Sequence, residues 1–216
     1  MYNHLGWWFP DMESHFPKML DKSIAKQGPA EYQWQVRNRS LNYVKQKRVA
    51  LDIGANVGLW SRDLVKHFIT VHAFEPVAMF RECLDRNVFS PNLKMHSVAL
   101  GNEPGFVNMI ITEGNTGHTH VDPASMGHGT VKIVTLDSLD FDTVDYIKID
   151  CEGFEYRVLQ GAERTIRQCR PVIVIEQKPH DAYSKDYGQY AAKEMLESWG
   201  MRELDHVKDD WIMGWN

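Results

Sequence analysis

The segment VALDIGANVGLW, residues 49–60, constrains this chain most. An apolar run ends on Asp52 and enters a short loop with glycines at 54 and 58. Helical spacing follows, with apolar Leu59, Trp60, Leu64, Val65 and Phe68. Strand, glycine turn and helix in that order bring a backbone close to a ligand. A dinucleotide, a nucleotide phosphate or a sulfonium cofactor could sit there.

From residue 48 onward short apolar runs alternate with helical patterns. RVALDIG, TVHAFEP, LKMHSVALG, VDYIKIDCEG and PVIVIEQ read as core strands, and FVNMIIT and TVKIVTL as two more around a loop. LWSRDLVKHF, VAMFRECLDRNV, EYRVLQGAERTIRQC and GQYAAKEMLESWG read as helices, the last closed by Gly200. The tail from Met201 supplies one or two terminal strands. Strands apolar on both faces and separated by helices predict a mostly parallel, twisted sheet with helices on both sides, a Rossmann-like α/β sandwich. Ligands then bind outside the carboxyl ends of the strands. Residues 1–47 break the alternation and read as two helical segments, an extension packed on the domain of residues 48–216.

Composition narrows the function classes. A net charge of −5 in 216 residues gives no overall drive toward nucleic acid or anionic membrane. Three scattered cysteines, with no CxxC pair, argue against a disulfide framework or structural zinc. No signal peptide or membrane span is recognisable, so a cytoplasmic protein is expected.

The loop itself discriminates among cofactors. A phosphate loop needs GxxxxGK[ST], but Gly58 is followed by Leu59 and Trp60, and the dinucleotide pattern GxGxxG is missing. Asp52 at the loop mouth opposes a pyrophosphate and suits an ammonium and a sulfonium. Glu75 ends the next strand, roughly 20 residues on, where nucleoside binders place an acid for ribose hydroxyls. The third strand ends in small residues, with Ser97 and Ala99 suited to reading and packing an adenine. Gly54, Asn56, Gly58, Asp52, Glu75, Ser97, Ala99 and Asp150 are therefore the expected contacts of S-adenosylmethionine.

The run IKIDCEGFE at 147–155 and LQGA at 159–162, with LDIGANVG, FEP and VALG in the same order, resemble the FkbM family of S-adenosylmethionine-dependent methyltransferases. The resemblance covers roughly residues 48–177. It implies a class I methyltransferase fold with a final antiparallel strand, and O-methylation of a hydroxyl on a saccharide, polyketide or similar small molecule.

On the acceptor side, Asp150 ends the fourth core strand and Glu152 follows on the loop. One carboxylate is expected at the cofactor's positive end and the other at the acceptor hydroxyl. His118, in the glycine-containing loop 113–130, and an N-terminal residue such as Asp11 or His15 remain candidate bases. Glu155 is expected to cap the helix that follows, and Lys148, inside an apolar strand, to find a carboxylate. Glu176 and Gln177 end the fifth strand, where catechol-type methyltransferases hold magnesium. Two positions are thin support, so a divalent metal such as Mg stays a minor reading. Trp7, Trp8 and Phe9 read as anchors of the extension. The chain lacks the [DN]PP[YFW] segment of amino-directed nucleic-acid enzymes, which disfavours nucleic acid as partner. A nucleic-acid methyltransferase, a non-catalytic nucleotide-binding protein and a nicotinamide oxidoreductase are the competing function classes. The expected partner is a small-molecule or saccharide acceptor, for a monomer or homodimer off the membrane.

Overall fold

In the computed structural model, which describes residues 1–178 and 184–215, the chain enters as a hairpin of β1 (Tyr2–His4) and β2 (Trp7–Phe9). The hairpin corrects the purely helical reading of the extension. Leu5 and Gly6 both take positive φ, the geometry of a two-residue hairpin turn. Trp7 and Phe9 are buried with Phe16 and Leu20 of α1 (His15–Ala25), so these aromatics anchor the extension. The second helix, α2 (Trp34–Leu41), is shorter than its sequence pattern. Its Arg37 is buried and donates from Nε to Asp63 at 2.7 Å, and it also pairs with Glu31.

The core alternates as expected through β3 (Val49–Ile53), α3 (Ser61–His67), β4 (Thr70–Phe74), α4 (Ala78–Asn87) and β5 (Leu93–His96). The predicted third strand is then interrupted. The chain leaves the sheet at Ser97 and Val98, and β6 (Ala99–Leu100) joins a small separate sheet. In that sheet β6 pairs with β10 (Val131–Val134), which also pairs with β7 (Gly105–Val107). Strands β8 (Met109–Ile110) and β9 (His120–Val121) form a further short pair.

After β11 (Tyr146–Ile149) the expected single helix is two, α5 (Glu155–Gln160) and α6 (Glu163–Cys169). The break falls at Gly161, where a Cβ would lie 2.0 Å from the carbonyl oxygen of Gly101; only glycine permits that approach. β12 (Val172–Glu176), α7 (Ser184–Tyr187), α8 (Ala191–Ser198), β13 (Met201–Val207) and β14 (Asp210–Trp215) complete the chain.

The main sheet has seven strands in the order β13-β14-β12-β11-β3-β4-β5. β14 runs antiparallel to both of its neighbours, and the five strands from β12 to β5 are parallel. Side chains alternate across such a sheet. Leu51, Ile53, Ile147, Ile149, Ile173 and Ile175 pack on one face with Val158, Ile166 and Leu196 of α5, α6 and α8. Ala50, Tyr146, Val174 and Ile212 pack on the other with Val36, Trp60 and Leu64, around α2 and α3. Asp52, Lys148, Glu176 and Asp210 share this second phase. The register sets Lys148 beside Asp52 and Glu176 beside Asp210, so four ionisable groups collect at one end of one face.

Candidate active site

The carboxyl ends of β3, β4 and β11, the segment Val98–Leu100 and the extension enclose about 850 Å³, part of it open to solvent. Of the predicted contacts, Gly54, Asn56, Glu75, Ala99, Asp150 and Glu152 line this cavity.

The turn after β3 is as tight as its glycines imply. Gly54 has φ +79°, and a Cβ there would lie 1.9 Å from the Asp150 carbonyl oxygen. Gly58 has another role. It lies outside the lining, and a Cβ would meet Val88 and Leu84 at 2.9 and 3.2 Å, so it seats α4 against the turn.

Glu75 is buried at the end of β4. One carboxylate oxygen accepts from the Val77 amide and the other from the Asn56 amide, both at 2.8 Å. Burial pushes its pKa up to about 7 against these hydrogen bonds. Each oxygen keeps a second lone pair, so the group can still accept from ribose hydroxyls. Phe74, Phe80, Val98, Ala99 and Leu100 form the apolar wall an adenine requires. Ser97 is exposed and lies outside the lining, because the chain leaves the main sheet there and turns Val98 inward instead.

Asp52 departs most from expectation. It is fully buried and does not reach the cavity. Strand alternation points it toward α3, where one oxygen accepts from Ser61 Oγ at 2.6 Å. The other oxygen has no hydrogen-bond partner among the described residues and lies 4.0 Å from Lys148 Nζ. Lys148 pairs more closely with Asp150, at 3.2 Å, so its expected carboxylate partner is present. Burial disfavours ionised Asp150, but Lys148 and then Lys178 outweigh that and hold its pKa below the usual range.

Beyond Asp150 the loop turns sharply, with Glu152 at φ +52°. Glu155 Oε1 closes the turn by accepting from the amides of Cys151 and Gly153, at 2.7 and 3.2 Å. Its role is to fasten this loop. Carboxylate oxygens of Asp150, Glu152 and Glu176 lie within 4.8 Å of one another. Lys178, which sequence reasoning missed, places Nζ 3.0 Å from Glu152 and 2.5 Å from Glu176. Burial first, and the Asp150 carboxylate second, raise the Glu176 pKa.

His118 is not brought to the site. It ends the 3₁₀ turn Thr116–His118 and is exposed, while its neighbours Gly117 and Thr119 face the cavity. Asp11 is exposed and pairs with the N-terminal amine, and His15 lies outside the lining. The extension supplies Phe16 and Tyr32 instead, packed edge to face at 5.0 Å over the cavity. Buried Glu13 ties the extension to the 113–119 loop. One of its oxygens accepts from the Phe16 amide at 2.9 Å, and the other from the Thr116 amide and hydroxyl at 2.7 and 2.6 Å. Asn56 Nδ2 donates to the Thr116 carbonyl at 2.9 Å, linking the loop to the glycine turn. No sequence pattern marks Glu13 or Lys178, since their partners come from distant elements.

These residues fit S-adenosylmethionine. An acid stands at the β4 end, a flat apolar wall lies beside it, and the cavity-lining Thr119 has a buried hydroxyl without a hydrogen-bond partner among the described residues. No helix among the described residues is long and apolar enough to cross a membrane.

Comparison with known proteins agrees with the geometry. Two solved structures share the fold. One, titled a putative O-methyltransferase from Klebsiella pneumoniae, is 16% identical with a TM-score of 0.52, over 93% of this chain and 88% of that one. The other, titled Methyltransferase FkbM from Methylobacillus flagellatus KT, is 18% identical with a TM-score of 0.50. That match covers 77% of this chain but 43% of the other, so it spans less than half of that protein's length. No curated protein sequence matches the chain. The family model described as the Methyltransferase FkbM domain matches residues 52–203, most of the chain. The chain therefore belongs to the FkbM family of S-adenosylmethionine-dependent methyltransferases.

Proposed function

We propose that this chain methylates a hydroxyl oxygen on a small molecule or saccharide. The observation that carries the reading is the position of Glu152, on the wall of the cavity that Glu75 and Asp150 also line. When bound, S-adenosylmethionine supplies an electrophilic methyl group on a sulfonium. Glu75 and Asn56 hold the ribose side, Val98–Leu100 the base, and Asp150 the positively charged end. The acceptor enters beside Glu152, whose carboxylate takes the hydroxyl proton as the oxygen attacks. A positioned base of this kind contributes about 10²- to 10⁴-fold. Alignment contributes more, on the order of 7–11 kcal/mol in the best cases. Phe16 and Tyr32 exclude water, which gives the extension of residues 1–47 the role of a roof and acceptor-side lid.

The test is calorimetric titration with S-adenosylhomocysteine, followed by a screen of saccharides and other hydroxylated acceptors with labelled methyl donor. Binding that Glu75→Ala weakens, and label on an acceptor oxygen that Glu152→Gln slows at least about 100-fold, are expected. Label recovered on nitrogen or carbon would overturn O-methylation, and failure of the folded protein to bind the ligand would overturn the cofactor assignment.

A further inference from the structure

Asp150 and Glu152, which line the cavity, converge with Glu176 closely enough to form the usual cage for a hard divalent cation. Here Lys178 reaches into the cage from the end of β12, with its ammonium 3.0 Å from Glu152 and 2.5 Å from Glu176. We infer that the Lys178 ammonium is the resident cation of the Asp150–Glu152–Glu176 cluster and takes the position a divalent metal would occupy.

Three observations support it. The first is spacing. The Lys178 ammonium lies at hydrogen-bond distance, 2.5–3.0 Å, from two of the three carboxylates and so stands where a metal would contact them. A magnesium ion would draw them to about 2.0–2.1 Å from its centre.

The second is charge. Lys148 lies 3.2 Å from Asp150 on the side facing Asp52, so two ammoniums already serve the cluster. The two ammoniums offset much of the charge of the three carboxylates, and a dication placed there would be repelled by both lysines.

The third is enclosure. Side-chain exposure is 30% for Lys178, 14% for Glu152 and 8% for Glu176, so the ammonium sits in a partly buried pocket and not on a solvated rim. In such surroundings a paired charge is held much more strongly than at the surface.

Manganese binding to the full chain, read by electron paramagnetic resonance, tests the inference without an acceptor. The wild-type protein should bind Mn²⁺ no more tightly than about 1 mM. Lys178→Ala should bind it at least about tenfold more tightly, and adding Glu176→Gln should abolish the gain. Micromolar binding by the wild type, lost in Glu176→Gln, would overturn the inference by showing a true metal site. A folded Lys178→Ala variant with no gain would overturn it too, because the cluster would then be no cation cage. Should Lys178→Ala fail to fold, the wild-type titration still decides, with Lys178→Arg as the folded control expected to bind no more tightly than about 1 mM. S-adenosylhomocysteine titration of the same samples reports separately on the cofactor site.

Discussion

Glu13 and Thr116, 103 positions apart, are joined by two hydrogen bonds of 2.7 and 2.6 Å from one amide and one hydroxyl to a single carboxylate oxygen. This contact fastens the extension to the loop over the cavity, and through Asn56 it reaches the glycine turn. Glu13→Gln presents an amide N–H₂ to groups that are themselves donors. It should cost about 1–3 kcal/mol, speed amide hydrogen exchange across residues 114–119, and weaken S-adenosylhomocysteine binding. Unchanged exchange in that loop would show that the contact does not hold it.

Glu75 gives stability, and on its proposed role cofactor binding, a pH dependence. In the unfolded chain its carboxyl titrates near 4.5, and in the fold near 7. Between those values the fold keeps a proton that the unfolded chain has lost. The contribution of Glu75 to stability therefore falls as pH rises from 4.5 to 7, and is constant above. On the proposed role of Glu75 ligand binding runs the other way, because ribose hydroxyls would donate to the ionised form. Affinity for S-adenosylhomocysteine should rise through about pH 6–8, with proton release visible as a buffer-dependent enthalpy. Glu75→Gln should bind more weakly and with a flat pH profile.

Gly54 and Gly200 separate two costs of a side chain at positive φ. Both have left-handed backbones, φ +79° and +96°. A Cβ at Gly200 meets nothing within 4 Å, so Gly200→Ala should lose only about 1–2 kcal/mol of stability. A Cβ at Gly54 runs into the Asp150 backbone. Gly54→Ala should destabilise by more than that and abolish ligand binding, as urea denaturation and calorimetry would report.

Arg37 holds α2 to α3 from a buried position. Removing it leaves Asp63 short of its 2.7 Å partner, although Lys66 stays 3.0 Å away. Arg37→Met should cost roughly 3 kcal/mol, the low end for a broken buried pair. Arg37→Met with Asp63→Leu should recover much of the loss in denaturant midpoint.

The strands of the parallel core were readable because burial on both faces leaves a continuous Val, Ile and Leu run, as in VIVIE at 172–176. Glu75, Asp150 and Glu152 were readable because they end such strands. Phase was harder. Asp52 also ends a strand, yet pleat alternation turns it toward Ser61 and away from the cavity. Ser97 missed the wall by one residue, because the chain crosses to the small sheet there and Val98 takes the inward position. His118 missed it because a 3₁₀ turn, and not an extended segment, presents Gly117 and Thr119. The hairpin at 2–9 was hidden because Trp7, Trp8 and Phe9 read only as anchors of the extension, and its turn signal is the Leu5-Gly6 pair. Lys178 belongs to no motif. Its partner Glu152 follows a different strand, 26 positions away, and only the strand order brings them together.

The place of β14 between β12 and β13 means that β12 gains its second partner strand late in chain order. Asp210 opens that strand and accepts from Gln33, the residue next to Tyr32 in the cavity roof. While a ribosome still holds residues 201–215, β12 has an open edge and that contact is missing. The nascent protein must therefore cross that stage of translation with a half-built sheet.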